Sequence, residues 1–130
     1  TFDVYVYRIT QTNASGDVTE LAWPQLKLRC IQMGVKHVPE LYFGEAALFE
    51  NRADMAGKDF SERVSQFVEH MNTSTMCRNK VPEEGVVVRV EDKLDFQALK
   101  CKSWAFRTSE SLLLDQGISA EDVEDTGNAE

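Results

Sequence analysis

The chain is poor in the residues that staple or metallate small domains. Its three cysteines, Cys30, Cys77 and Cys101, lie far apart with no C-x-x-C, and its two histidines, His37 and His70, are isolated. That pattern argues against a disulfide framework and against a zinc site. A reducing cytoplasm is the simplest setting, with the thiols acting as small buried or half-buried apolar groups. No run of about 18 apolar residues occurs, so no transmembrane helix and no membrane partner is expected. No charged-then-apolar leader opens the chain. It begins at Thr1 rather than Met and enters a strand-like run directly, which suggests a fragment or a processed product. There is no internal repeat, and no low-complexity segment before residue 115.

What is present is acidic, but unevenly so. Residues 115–130, DQGISAEDVEDTGNAE, hold six of the 22 acidic residues and no lysine or arginine, leaving 16 acids against 14 bases in residues 1–114. The body is close to neutral and the tail carries the charge. A terminal acidic segment with few large apolar groups is expected to be disordered. The organisation read from this is one domain over 1–114 and a tail over 115–130. The acidity of the whole is weak evidence against nucleic-acid binding by the body.

Local patterns give the expected elements. FDVYVYRIT (2–10) alternates and is β-branched and aromatic, TNASGD (12–17) has turn chemistry, and VTELAW (18–23) reads as the returning strand. Pro24 suits a first helical turn. Leu26, Cys30 and Met33 then fall at helical spacing before Gly34. VKHVPELYFG (35–44) reads as extended and bent by Pro39, and EAALFENRAD (45–54) as a short helix. Asp59 with Glu62 has capping-box spacing, followed by the stripe Phe60, Val64, Phe67, Val68, Met71. Strands over 84–92 and 95–103 flank the turn KLD, and WAFRTSESLLL closes as a short helix or strand. Strands and helices without regular βαβ alternation predict an α+β fold with antiparallel sheets and flanking helices.

The last hairpin carries the chemistry. Lys100 and Lys102 share a strand face, with stems roughly 6.5–7 Å apart. Two ammonium groups at that separation either are solvated on an exposed face or converge on one phosphate or two adjacent ones. Glu84, on the neighbouring strand, offers a hard oxygen for Mg²⁺ beside such a phosphate. A carboxylate, two lysines and a divalent ion suit phosphoryl or nucleotidyl transfer.

The same residues resemble a known family. EEGVVVR (83–89) followed by LKCKSWAF (99–106) is similar to motifs IV and V of the covalent nucleotidyltransferases, the ATP-dependent ligases and mRNA capping enzymes. Motif IV, E-G-x-V-x-[KR], falls on Glu84, Gly85, Val87 and Arg89. Motif V, K-x-K, falls on Lys100 and Lys102. KCKSWAF most resembles the nick-sealing RNA ligases of bacteriophages, which are related to the kinetoplast RNA-editing ligases. VYVYRI (4–9) resembles motif IIIa, whose aromatic stacks on adenine. The resemblance spans roughly residues 2–117. It departs from the pattern in two places. An Asp usually follows the motif IIIa aromatic, whereas Arg8 follows Tyr7. Tyr7 is therefore the expected stacker, with Tyr5 or Phe2 in another register; a buried strand aromatic is the alternative. The nucleophile motif K-x-D-G is missing, as is the family's upstream glutamate motif. Lys93-Leu94-Asp95-Phe96 puts Phe where Gly belongs and follows motif IV, so it reads as a turn.

The resemblance implies the C-terminal part of an ATP-grasp-like nucleotidyltransferase domain. It implies an ATP-dependent RNA ligase acting in RNA repair on RNA ends or a nicked duplex, with ATP, as AMP, and Mg²⁺ as cofactors. In that family a lysine takes AMP from ATP, passes it to an RNA 5′-phosphate, and a 3′-hydroxyl then seals the strand. Glu84, Lys100 and Lys102 would be catalytic, Lys100 and Lys102 on the α-phosphate, Glu84 also at the metal, and Tyr7 on adenine. Arg89 is expected to be a solvated strand residue, the alternatives being that it ties the strand to a neighbouring carboxylate or faces RNA, and Trp104 is expected to pack even if it and Ser103 border the nucleotide. Without the nucleophile this chain is expected to be inactive alone. The competing readings are a non-catalytic nucleic-acid or protein-binding module using Lys100, Lys102 and Arg107, and a fragment of a DNA ligase or capping enzyme.

Overall fold

A computed structural model describes residues 2–77, 79–91, 93 and 95–117. The expected tail disorder beyond residue 117, and Leu94 in the KLD turn, lie outside the described residues. Among the described residues the fold is small and α+β, with three α-helices and three two-stranded sheets. No helix among them is long and apolar enough to cross a membrane. The described residues form two compact units, one of Asp3–Leu41 with Arg89–Ala98, the other of Tyr42–Val88 with residues 99–117 and Phe2.

In the first unit, strands β2 (Thr10–Thr12) and β3 (Val18–Glu20) form the antiparallel hairpin expected from the TNASGD turn. Asn13 shapes that turn, its Oδ1 accepting from the backbone N–H groups of Ser15 and Asp17 at 2.9 Å each. The earlier part of the run behaves differently. Strand β1 (Tyr5–Val6) pairs with β4 (Lys36–His37), and the pairing is parallel, not antiparallel. The reason is helix α1 (Trp23–Met33), which lies between them in the chain and supplies the crossover that parallel strands need. Helix α1 starts where Pro24 predicts. The Ala22 N–H donates to Gln25 Oε1 at 3.2 Å and the Trp23 N–H to Glu91 Oε2 at 3.0 Å, so two of its open N-terminal donors are met by side chains. Gly34, with φ +67°, ends it. Trp23, Leu26 and Cys30 form the core, with Val6, Ile9 and Val38 against it.

In the second unit, Asp59 and Glu62 make the expected reciprocal cap. The Glu62 N–H donates to Asp59 Oδ1 at 2.8 Å and the Asp59 N–H to Glu62 Oε2 at 2.7 Å. Helix α2 (Phe60–Glu69) follows, and its Val64 and Val68 join Phe49 in the core. Residues 45–54 are not the expected helix but two short 3₁₀ turns, Ala46–Leu48 and Ala53–Met55. Two observations account for this. Glu50 adopts φ +50°, which no α-helix passes through. The buried Arg63 guanidinium also takes carbonyls that an α-helix would use internally. It donates to Phe49 O at 2.8 Å, Ala46 O at 3.0 Å and Lys58 O at 2.8 Å.

Strands β5 (Gly85–Val90) and β6 (Gln97–Lys102) form the third sheet, and α3 (Trp104–Asp115) continues directly from β6. The start of β5 lies against the end of β6, as an antiparallel hairpin requires.

Candidate functional site

Side chains alternate across a strand, so one buried residue assigns a face to its neighbours. Val86 and Val88 of β5 and Cys101 of β6 pack against Phe49, Val64 and Val68. Lys100 and Lys102, either side of Cys101, therefore lie on the opposite face. Val87 lies there as well and is 60 % exposed.

Alternation from Val86 would turn Glu84 inward. Instead its carboxylate forms an ion pair with the Lys100 ammonium. The residue between is Gly85, with φ +143°, a conformation open to glycine and closed to other residues, and the strand's alternation does not carry through it. Gly85 is also crowded. A Cβ there would lie 2.8 Å from the Cys101 carbonyl carbon and 2.9 Å from Lys102 Cα, both backbone atoms. The E-G pair thus does two things: it redirects a carboxylate toward the lysine face and lets two backbones meet closely.

Ser103 fixes the other end. It is fully buried, its N–H donates to Glu84 O at 2.7 Å, and its hydroxyl donates to the Glu83 carbonyl. The same hydroxyl accepts from the Phe106 N–H at 3.0 Å and so caps α3. Glu83 is held in turn by its N–H bond to Asn72 O at 3.0 Å. Lys102 Nζ sits 3.3 Å from both carboxylate oxygens of Glu110 and 5.4 Å from the centre of the Phe106 ring. The two lysines are thus held by different carboxylates, Lys100 by the residue before β5 and Lys102 by a residue of α3.

Trp104, expected to pack, is 62 % exposed; as the first helical residue it points away from the buried side that Phe106 occupies. Tyr7 lies in the first unit, follows β1 and is 71 % exposed, so it is no buried strand aromatic. Tyr5 is half-buried, with Lys36 Nζ 5.5 Å from its ring centre, and Phe2 is exposed. Arg8, where the family has Asp, binds Glu20 through Nε at 2.8 and 3.0 Å and lies 4.2 Å over the Phe96 ring. The Glu20 hydrogen bond raises the Arg8 pKa further. Arg89 is not solvated as expected. It is largely buried, donates to Leu21 O at 3.1 Å, and lies 5.2 Å from Phe96 and 5.6 Å from Trp23. Its Nε is 3.2 Å from Glu91 Oε1, close enough for charge attraction but not aligned for a hydrogen bond.

Among the described residues no group of three or more His, Cys, Asp or Glu could hold a metal ion. Glu84 alone fits Mg²⁺ only in the manner usual for that ion, with phosphate and water supplying the remaining ligands. The motif positions of Glu84, Lys100 and Lys102 were open to sequence reasoning, but Ser103 as anchor, Glu110 as partner and Val87 as exposed apolar neighbour were not recognised. A serine immediately before a helical pattern is a capping signal, so Ser103 could have been found. Comparison with known proteins adds no family: no family model, no curated protein and no solved structure matches this chain.

Proposed function

We propose that this chain is the motif IV and V part of an ATP-dependent RNA ligase, joining RNA 3′-hydroxyl and 5′-phosphate ends in the cytoplasm. The observation that carries the reading is the sheet face on which Glu84, Lys100 and Lys102 lie, at positions matching E-G-x-V-x-R and K-x-K. In this reading the residues belong to an ATP-grasp-like nucleotidyltransferase domain. Lys100 and Lys102 donate to the α-phosphate of bound nucleotide and stabilise the charge that builds on it in transfer. With nucleotide bound, Lys100 would pair with a phosphate oxygen, and Glu84 is the residue that would hold Mg²⁺. The ion supplies charge neutralisation at the phosphate. The motif IIIa resemblance assigns adenine stacking to Tyr7, whose ring is exposed.

The chain contains no K-x-D-G, so the nucleophilic lysine belongs to sequence preceding Thr1 in this reading. Sealing of a nicked RNA duplex, by the enzyme comprising this chain and the sequence upstream of it, is the test. Lys100→Ala is expected to abolish sealing while leaving the fold intact by circular dichroism. Wild-type sealing by that variant removes Lys100 from the site. The chain alone, incubated with labelled ATP and Mg²⁺, is expected to retain no acid-stable label; label at Lys93 overturns the reading of KLD as a turn.

One observation favours a second reading, a non-catalytic binding module. Both lysines already have carboxylate partners, as ordinary surface lysines do. Saturable AMP binding lost in Lys100→Ala favours the ligase; absence of nucleotide binding in the presence of the upstream sequence favours the module.

A further inference from the structure

We infer that Glu110 of α3 is the positioning residue for Lys102, an inference that rests on the phosphate reading of the two lysines. Lys102 ends β6 and Trp104 begins α3, with Ser103 alone between them. That single residue is fully buried and bonded on three sides: to Glu84 O, to Glu83 O and to the Phe106 N–H. Strand and helix therefore meet at a junction with no slack, and the direction of α3 is tied to the position of Lys102.

Phe106 and Glu110 lie four residues apart on α3, so they share a face of the helix. Lys102 runs along that face, its ammonium over the Phe106 ring and at equal distance, 3.3 Å, from both Glu110 oxygens. An unheld lysine samples many rotamers, whereas these two contacts choose one direction for the stem. An ammonium has three donors. Glu110 leaves donors for a phosphate and acts through Lys102 without touching the substrate. Lys100 is paired with a different carboxylate, Glu84, so Glu110 is specific to Lys102.

Two measurements test this. In ¹⁵N-lysine spectra of the chain, Glu110→Gln is expected to shift the Lys102 side-chain signal and leave that of Lys100 in place. In nick sealing, Glu110→Gln is expected to lower kcat about tenfold with KM for the duplex unchanged, and Glu110→Asp to stay within about threefold of wild type. A purely structural role would instead lower the melting temperature and spare neither Gln nor Asp. An unmoved Lys102 signal overturns the inference whatever the enzyme does, and so does a moved signal with wild-type kcat. If the wild-type enzyme seals nothing, the ligase reading fails and takes the role of Glu110 with it. The spectra still show separately whether the Lys102–Glu110 contact exists.

Discussion

Gly85→Ala is the substitution whose cost the backbone geometry defines best. The first contribution is conformational, because φ +143° is outside the range of an alanine and such strain costs about 1–3 kcal/mol. The second is steric. The new methyl would meet the Cys101 carbonyl carbon at 2.8 Å and Lys102 Cα at 2.9 Å. Neither atom can rotate aside, so β5 and β6 must separate, at a cost comparable with overpacking a core, about 1–3 kcal/mol. Alanine recovers about 0.4–1 kcal/mol by restricting the unfolded chain. The net expectation is a loss of about 3 kcal/mol, a large share of the roughly 5–15 kcal/mol that holds a typical domain together. Urea unfolding followed by circular dichroism measures it as a lower midpoint with an unchanged slope. The Lys100 side-chain signal should move too, since Gly85 is what turns Glu84 toward it. A variant within about 0.5 kcal/mol of wild type would refute both the strain argument and the account of how Glu84 is directed.

Two further outcomes are expected. Arg63→Met strips three carbonyl partners and is expected to destabilise by about 3–5 kcal/mol, with proteolysis concentrating between residues 45 and 58; an unchanged digestion pattern would count against the role given to the guanidinium. Glu40 has its pKa lowered, first by its hydrogen bond from Lys27 and then by that from Trp23. Its contribution is therefore complete at neutral pH and disappears as pH falls through and below the ordinary carboxylate range. Glu40→Gln is expected to flatten the fall of melting temperature between about pH 5 and pH 3, and an identical acid limb in both proteins would contradict this.

The elements with local punctuation were legible in the sequence. Pro24 and Gly34 bracket α1, and Asp59 with Glu62 opens α2, because capping depends only on residues within a turn of the helix end. The segment over 45–54 was not legible, since its carbonyls are claimed by Arg63, a residue that the apolar stripe of α2 leaves off its face. The parallel pairing of Tyr5–Val6 with Lys36–His37 is a contact across more than 30 residues, which alternation alone cannot specify. At the candidate site the motif letters mark Glu84, Lys100 and Lys102, but simple alternation cannot show how Glu84 reaches the lysine face, because the strand's alternation does not carry through Gly85. The Glu110 partner emerges only once β6 and α3 are known to meet at Ser103.

The way Arg63 holds residues 46–58 has a consequence for variation. A guanidinium bound to carbonyl oxygens recognises a group that every amino acid carries, so it specifies a path without specifying the residues along it. Phe49 and Met55 are pinned by burial. Gly57 is pinned by its φ of +80° and Glu50 sits at φ +50°; the remaining positions of that stretch are released to drift in sequence while the loop keeps its course, on condition that the arginine at 63 stays.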